Sequence, residues 1–160
     1  MKVSTRGDYA ARALLSLALH GSDRPTSVKE IAERTGLPQP YLEQILLAVK
    51  GAGLVRSKRG VGGGYVLARE PNEITLADIL AAVDGPLTQL MGEHDHCEGH
   101  CVLQEVWVHV SEETRLILER FTVQDLVERT LAGHPEQTGV VTLPSGDADD
   151  RVQPAAAAES

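Results

Sequence analysis

A helix, a glycine turn, a second amphipathic helix and a cationic, glycine-rich hairpin follow one another over residues 28–67 with almost no linker. An a/d heptad stretch follows later, over residues 103–121. Together they predict a mainly α-helical fold: a winged helix-turn-helix domain with a two-stranded wing, plus a long C-terminal dimerisation helix. The third observation is a charge split. Residues 1–69 hold 11 Lys or Arg against 5 Asp or Glu, and residues 70–160 hold 4 against 18. The formal charge of −8 therefore hides a basic half at +6 and an acidic remainder at −14. A polyanion meets the field of the half it touches, so acidity of the whole chain does not exclude nucleic acid.

Tyr9, Ala10, Ala13, Leu14, Leu17 and Ala18 recur at three- and four-residue spacing, predicting a first helix over 5–20 that Gly21 ends. Ser27 and Glu30 form a capping box that opens a helix over 27–35, and Gly36 supplies the turn. Residues 38–51 give the next helix, with Leu42, Ile45, Leu46 and Val49 on its apolar face. Residues 54–58 and 64–68 read as two strands around a glycine-rich tip. Thr75 and Asp78 resemble another cap, starting a helix that Asp84-Gly85-Pro86 stops. A polar loop over 88–100 precedes a long helix from about 101 to 120. There Leu103, Trp107, Val110, Thr114, Ile117 and Phe121 alternate at spacings of four and three, as in two helices packing side by side. Residues 122–131 form a last short helix ended by Gly133, and the Gly-, Pro-, Asp- and Ala-rich remainder predicts a disordered tail.

The domain division expected is 1–86 for DNA binding, 87–101 for a cysteine/histidine sensor loop, 102–132 for the dimerisation helix and final short helix, and 133–160 for the tail. With aromatics at only 3% of the chain, Leu, Val, Ile and Ala must fill the core. No apolar run approaches the length of a membrane span. Asp8 and Arg12 interrupt the N-terminus before an apolar segment develops, so neither a signal peptide nor a membrane role is expected, and the cytoplasm is the expected compartment.

In a helix-turn-helix the first helix braces the second, whose N-terminal residues face base edges. Those residues are Gln39, Pro40, Tyr41, Glu43 and Gln44. Gln44 can pair bidentately with adenine and Glu43 can accept from the cytosine amino group, while Tyr41 can bond a phosphate or sugar, or cover the core. Arg56, Lys58 and Arg59 lie in the hairpin, where an arginine can enter the narrow, electronegative minor groove. Gly60, Gly62, Gly63 and Gly64 allow a tight turn and a close approach to phosphates. The same glycines do not make a P-loop, because no Gly-Lys-Ser/Thr follows, and Tyr65 stands where a third dinucleotide-binding glycine belongs. An enzyme is not expected: His, Cys and Glu crowd one loop, without HExxH, a nucleophile elbow or paired carboxylates on rigid elements.

That loop, GEHDHCEGHC, places Cys97, Cys101, His94, His96 and His100 within eight residues. Closely spaced thiols of this kind bind metal or sense redox more often than they form a permanent disulfide. Thiolates suit iron–sulfur clusters and zinc, and imidazoles can complete either set. The residues leave four readings open: a cluster with mixed ligation, a thiol or disulfide switch, zinc, and no cofactor. Two thiolates alone cannot hold a cluster, so other groups must contribute. His94 and His96 read as solvated loop residues, and His109 as part of the long helix.

From Met1 to about Phe121 the chain resembles the IscR/NsrR family of bacterial winged-helix regulators, many of which carry an iron–sulfur cluster. The resemblance rests on STRGDYAARALLSLAL, YLEQIL, GLVRSKRGVGGGYVLAR and ITLADILAAVDGP, and on Cys101 six residues before Trp107. It implies a homodimer joined through the long helix and bound to a near-palindromic operator in double-stranded DNA. It also implies base reading by Glu43 and Gln44 and minor-groove probing by Arg59. Pro40 replaces the small hydroxyl residue common there, implying a different sequence preference. Cys101 matches the third cluster cysteine and Cys97 approximates the second, but the first is absent, and Gln104 stands where some relatives have a ligating histidine. Asp8 matches a position whose side chain, from the partner subunit, completes the cluster in some relatives; Thr5-x-x-Asp8 equally resembles a helix cap. The function expected is a dimeric transcriptional repressor whose operator affinity is set by a cluster, [2Fe–2S] rather than [4Fe–4S], or by redox state at Cys97 and Cys101. The alternative is a cofactor-free or thiol-switch regulator.

Overall fold

Hydroxyl caps begin four of the six helices in the computed structural model, which describes residues 3–21, 24–86 and 100–133. Ser4 accepts from the Gly7 N–H and opens α1 (Thr5–Leu19). Ser27, Thr75 and Thr122 form reciprocal capping boxes with Glu30, Asp78 and Asp125, opening α2 (Val28–Thr35), α4 (Leu76–Asp84) and α6 (Val123–Leu131). Between them run α3 (Gln39–Gly51), β1 (Val55–Lys58), β2 (Gly64–Leu67), a single 3-10 turn (Pro71–Glu73) and α5 (His100–Glu119). The element order is the one expected. The cap of α1 differs: Ser4, not Thr5, is the capping residue, and Asp8 takes no part in the cap.

The core is aliphatic, as the shortage of aromatics requires. Ala10, Ala13, Leu14 and Leu17 from α1 meet Ile31 of α2, the stripe Leu42, Ile45, Leu46 and Val49 of α3, Leu54 and Ile74 from the flanking segments, and Ile79 of α4. Gly7 lets α1 and α4 touch, since an added Cβ would stand 2.4 Å from a Leu80 methyl. Val123 is also fully buried in this core. The N-termini of α4 and α6 are joined there by an antiparallel bridge between Thr75 and Thr122, in which Leu76 N–H donates to Phe121 O (2.9 Å) and Val123 N–H to Ile74 O (2.8 Å). The last helix thus returns to the first domain's core, a packing absent from any local pattern.

β1 and β2 pair antiparallel, Val55 opposite Leu67 through Lys58 opposite Gly64. A further bridge ties Tyr65 to Thr26, just before α2, with N···O distances of 2.8 and 3.0 Å. Gly64 permits it: a Cβ there would lie 2.3 Å from Thr26 O, and its φ is +154°. Of the sensor loop expected over 87–101, only the last two residues are described, as the first turn of α5. The remainder, with Cys97, lies outside the described residues, as does the tail beyond Gly133. Among the described residues no helix is long and apolar enough to cross a membrane.

Gly64→Ala should lower the unfolding free energy by at least about 2 kcal/mol. Gly62→Ala has only its φ of +73° to strain and open space around it, and should cost about 1 kcal/mol. Equal losses in urea denaturation would show that the Thr26 approach is not the constraint. The capping boxes generate a pH dependence. Hydrogen bonds from the Ser27 backbone, then its hydroxyl, hold Glu30 below its ordinary value of 4.5; the Thr122 hydroxyl, then its backbone, do the same for Asp125, ordinarily 3.8. Both carboxylates therefore stabilise the fold fully above those ordinary values, and the stabilisation is lost as pH falls toward the lower folded values. Urea midpoints should hold from pH 7 to about pH 5 and then decline, and the decline should be shallower in Glu30→Gln.

Candidate nucleic-acid interface

The turn between α2 and α3 is made by Gly36 in the left-handed region (φ +70°), its N–H closing on Ala32 O, with buried Leu37 anchoring the far side. Pro38 precedes α3 without a side-chain cap, and Pro40 removes one donor that a cap would have to satisfy. Because Leu42, Ile45, Leu46 and Val49 are buried, the opposite face of α3 is solvent-exposed and carries Gln39, Pro40, Glu43, Gln44 and Leu47. Gln39 Nε2 donates to Glu43 Oε1 at 3.2 Å, so the carboxylate is already oriented along the helix surface. The Tyr41 ring meets Tyr9 edge-on, centroids 6.0 Å apart, while 48% of the residue remains exposed.

The wing stands beside that face. Ser57 accepts a hydrogen bond from Lys50 Nζ at 2.7 Å, which fastens the end of α3 to β1. Alternation along the strand puts Arg56 and Lys58 on the other side from Ser57, and all three are exposed. Gly63 N–H donates to Gly60 O (2.9 Å) to close the tip, where Val61 is fully exposed. The glycines divide their work. Gly60 and Gly62 supply positive φ in open space, whereas Gly63 and Gly64 admit neighbouring backbone that a side chain would strike.

Electrostatics separate the wing from the rest of the basic half. Arg12 pairs with Asp8, Lys29 with Glu33, Arg69 with Asp78, and both Arg24 and Arg34 with Glu30. Among the described residues, Arg56, Lys58 and Arg59 have no carboxylate within ion-pair distance. Exposed pairs contribute little to stability, but they neutralise the local field. Among the described residues the hairpin therefore keeps three uncompensated cations close together in sequence, with Lys50, likewise without a carboxylate, at the adjoining end of α3.

The other singled-out residues are placed less completely. Asp8 lies in the first turn of α1, with Arg12 Nη2 at 2.9 Å and its side chain half-exposed. His100 and Cys101 begin α5, and their side chains, with all of Cys97, fall outside the described residues. On α5, Leu103, Trp107, Val110 and Ile117 are each 45–52% exposed, and Val102, Val106 and Val108 widen the apolar surface beyond the heptad seam. Phe121 departs from the expectation: α5 ends at Glu119, so Phe121 leaves the seam, is half-buried, and lies under the Arg129 guanidinium at 5.5 Å. Sequence reading missed three positions here. Thr26 acts through a partner remote in sequence, Lys50 through one seven residues on in the next element, and Leu47 breaks the polar pattern of its face, a signal visible in the chain itself.

Residues 3–129 match the family described as Rrf2, iron-dependent transcriptional regulator. The HTH-type transcriptional regulator CymR of Bacillus subtilis is 36% identical over 130 residues, spanning 81% of this chain and 92% of that protein. IscR of Xenorhabdus nematophila is 32% identical over 163 residues, 89% of this chain and 99% of its own length. Among solved structures, B. subtilis CymR superposes with a TM-score of 0.67 at 35% identity, covering 80% of this chain and 97% of that one. IscR of T. potens gives 0.66 at 38% identity, covering 85% and 93%. These relatives are transcriptional regulators, not enzymes.

Proposed function

Since this chain belongs to the Rrf2 family of transcriptional regulators, we propose that it acts as a homodimeric, operator-binding repressor whose affinity responds to chemistry at Cys97 and Cys101. One observation carries the DNA part: among the described residues, Arg56, Lys58 and Arg59 are left without carboxylate partners in the hairpin that follows α3. In this reading Gln39, Glu43 and Gln44 meet base edges in the major groove, Tyr41 meets the sugar–phosphate backbone, and Arg59 enters the minor groove while Gly62 lets the tip approach. Arg56 and Lys58 neutralise phosphates and give the binding its salt dependence.

The apolar surface of α5 supports the dimer. Leu103, Trp107, Val110 and Ile117 would bury against the same residues of a second copy, as a two-fold interface requires. Pairing sets the distance between two α3 helices, and half-sites must match roughly one helical turn, about 10 bp.

For the sensor, the donors fit an iron–sulfur cluster by chemistry: two thiolates from Cys97 and Cys101, an imidazole from His100, and the half-exposed carboxylate of Asp8, which would exchange its Arg12 partner. A [2Fe–2S] cluster suits mixed ligation better than [4Fe–4S], and when bound it supplies a redox-active group. The family's description as iron-dependent supports this. Asp8 is followed on α1 by Tyr9, whose ring touches Tyr41 on α3, so a shift at Asp8 has a short packed route to the DNA-reading helix. Couplings of this kind are typically about 1–3 kcal/mol. A thiol switch without metal is the second reading. It is favoured by the two-cysteine count and by CymR, the global cysteine regulator of B. subtilis, whose Staphylococcus aureus counterpart has been solved in an oxidized form.

Arg59→Ala should weaken operator binding by about 1–3 kcal/mol without moving the unfolding midpoint. Unchanged affinity would remove the wing from the mechanism. Protein purified without oxygen should show visible charge-transfer bands with stoichiometric iron and acid-labile sulfide, and Cys101→Ala should abolish them with the fold intact. A colourless protein after attempted reconstitution would leave the thiol switch or a cofactor-free regulator.

A further inference from the structure

Leu47 is 63% exposed and contributes nothing to the core, although it sits on a regular helix in the middle of the domain. A lone exposed leucine is ordinary on a protein surface; its position is what matters here. It stands one turn beyond Glu43 and three residues beyond Gln44, on the face opposite the buried stripe of Leu42, Ile45, Leu46 and Val49. The helix is held by that stripe and by the Lys50 bond to Ser57, so Leu47 cannot turn inward without the whole of α3 rotating.

We propose that Leu47 is a further specificity-determining residue, packing its isobutyl group on the 5-methyl of a thymine in the major groove; this rests on the DNA-binding reading above. An isobutyl group gains nothing from a phosphate and cannot bond a base edge. The one apolar feature displayed in the major groove is the thymine methyl. Spacing sets which thymine. Side chains three or four apart on a helix have Cβ atoms about 5–6 Å apart, and successive bases are about 3.4 Å apart along the duplex. The thymine read by Leu47 therefore lies within two base pairs of the adenine read by Gln44. Pro40, on the same exposed face, adds a second apolar group and no competing donor.

The test uses the full chain. A preferred site is selected from a random duplex library, and each thymine in it is then replaced by deoxyuridine, which lacks only the methyl. The wild-type protein should bind about fourfold more weakly for such a replacement in one half-site and about fifteenfold more weakly for both, within two base pairs of an adenine whose replacement Gln44→Ala ignores. Leu47→Ala, whose circular-dichroism melt should match the wild type, should bind the thymine and deoxyuridine duplexes equally. Wild-type indifference at every position, or undiminished discrimination by Leu47→Ala, would overturn the assignment while sequence-selective binding stands. Failure to select any duplex site would overturn the DNA-binding reading and the assignment with it.

Discussion

The rotation of α3 about its own axis is the constraint on which the rest depends. Burial of Leu42, Ile45, Leu46 and Val49 against α1 and α4 sets that rotation, each side chain contributing about 1.5–3 kcal/mol as an upper figure. A helix so held cannot expose its apolar stripe without losing several such terms together. Glu43, Gln44 and Leu47 are consequently presented outward in a fixed arrangement. The wing is referred to the same helix through Lys50 and Ser57, and to the start of α2 through the Thr26–Tyr65 bridge. Both parts of the interface thus share one frame.

Charge follows a similar logic at longer range. The chain is acidic overall, yet the surface that matters is set by which cations find local partners. Helix geometry gives Arg12, Lys29 and Arg34 carboxylates four residues away, and Arg69 finds the capping carboxylate of α4. A two-stranded hairpin with a glycine tip offers no such neighbours, so among the described residues Arg56, Lys58 and Arg59 stay uncompensated. The interface arises as much from pairing elsewhere as from basic residues in the wing.

The return of α6 links the far part of the chain to this frame. Val123 enters the core, and the paired caps at Thr75 and Thr122 lock the end of α5 beside the start of α4. α5 therefore leaves the domain from a fixed point, and residues 102–110 are exposed on every side. An element attached firmly at one end, with its exposed valines, leucine and tryptophan over residues 102–110, presents that apolar surface in a fixed relation to the core that also holds α3.

Much of this was legible in the residues. Helix periodicity, hydroxyl caps and glycine turns are local, so every helix and both strands could be placed, and the buried face of α3 named, from spacing alone. The exposed polar set of Gln39, Glu43 and Gln44 follows as the complement of that face. Tertiary structure decided what depends on residues distant in sequence: Ser4 rather than Thr5 as the cap of α1, steadied by Asp84 at 2.5 Å; the need for glycine at position 64, imposed by Thr26; and the removal of Phe121 from the heptad seam by the end of α5 and by Arg129. A heptad pattern reports spacing along the chain, whereas the end of a helix is decided by what the next segment packs against.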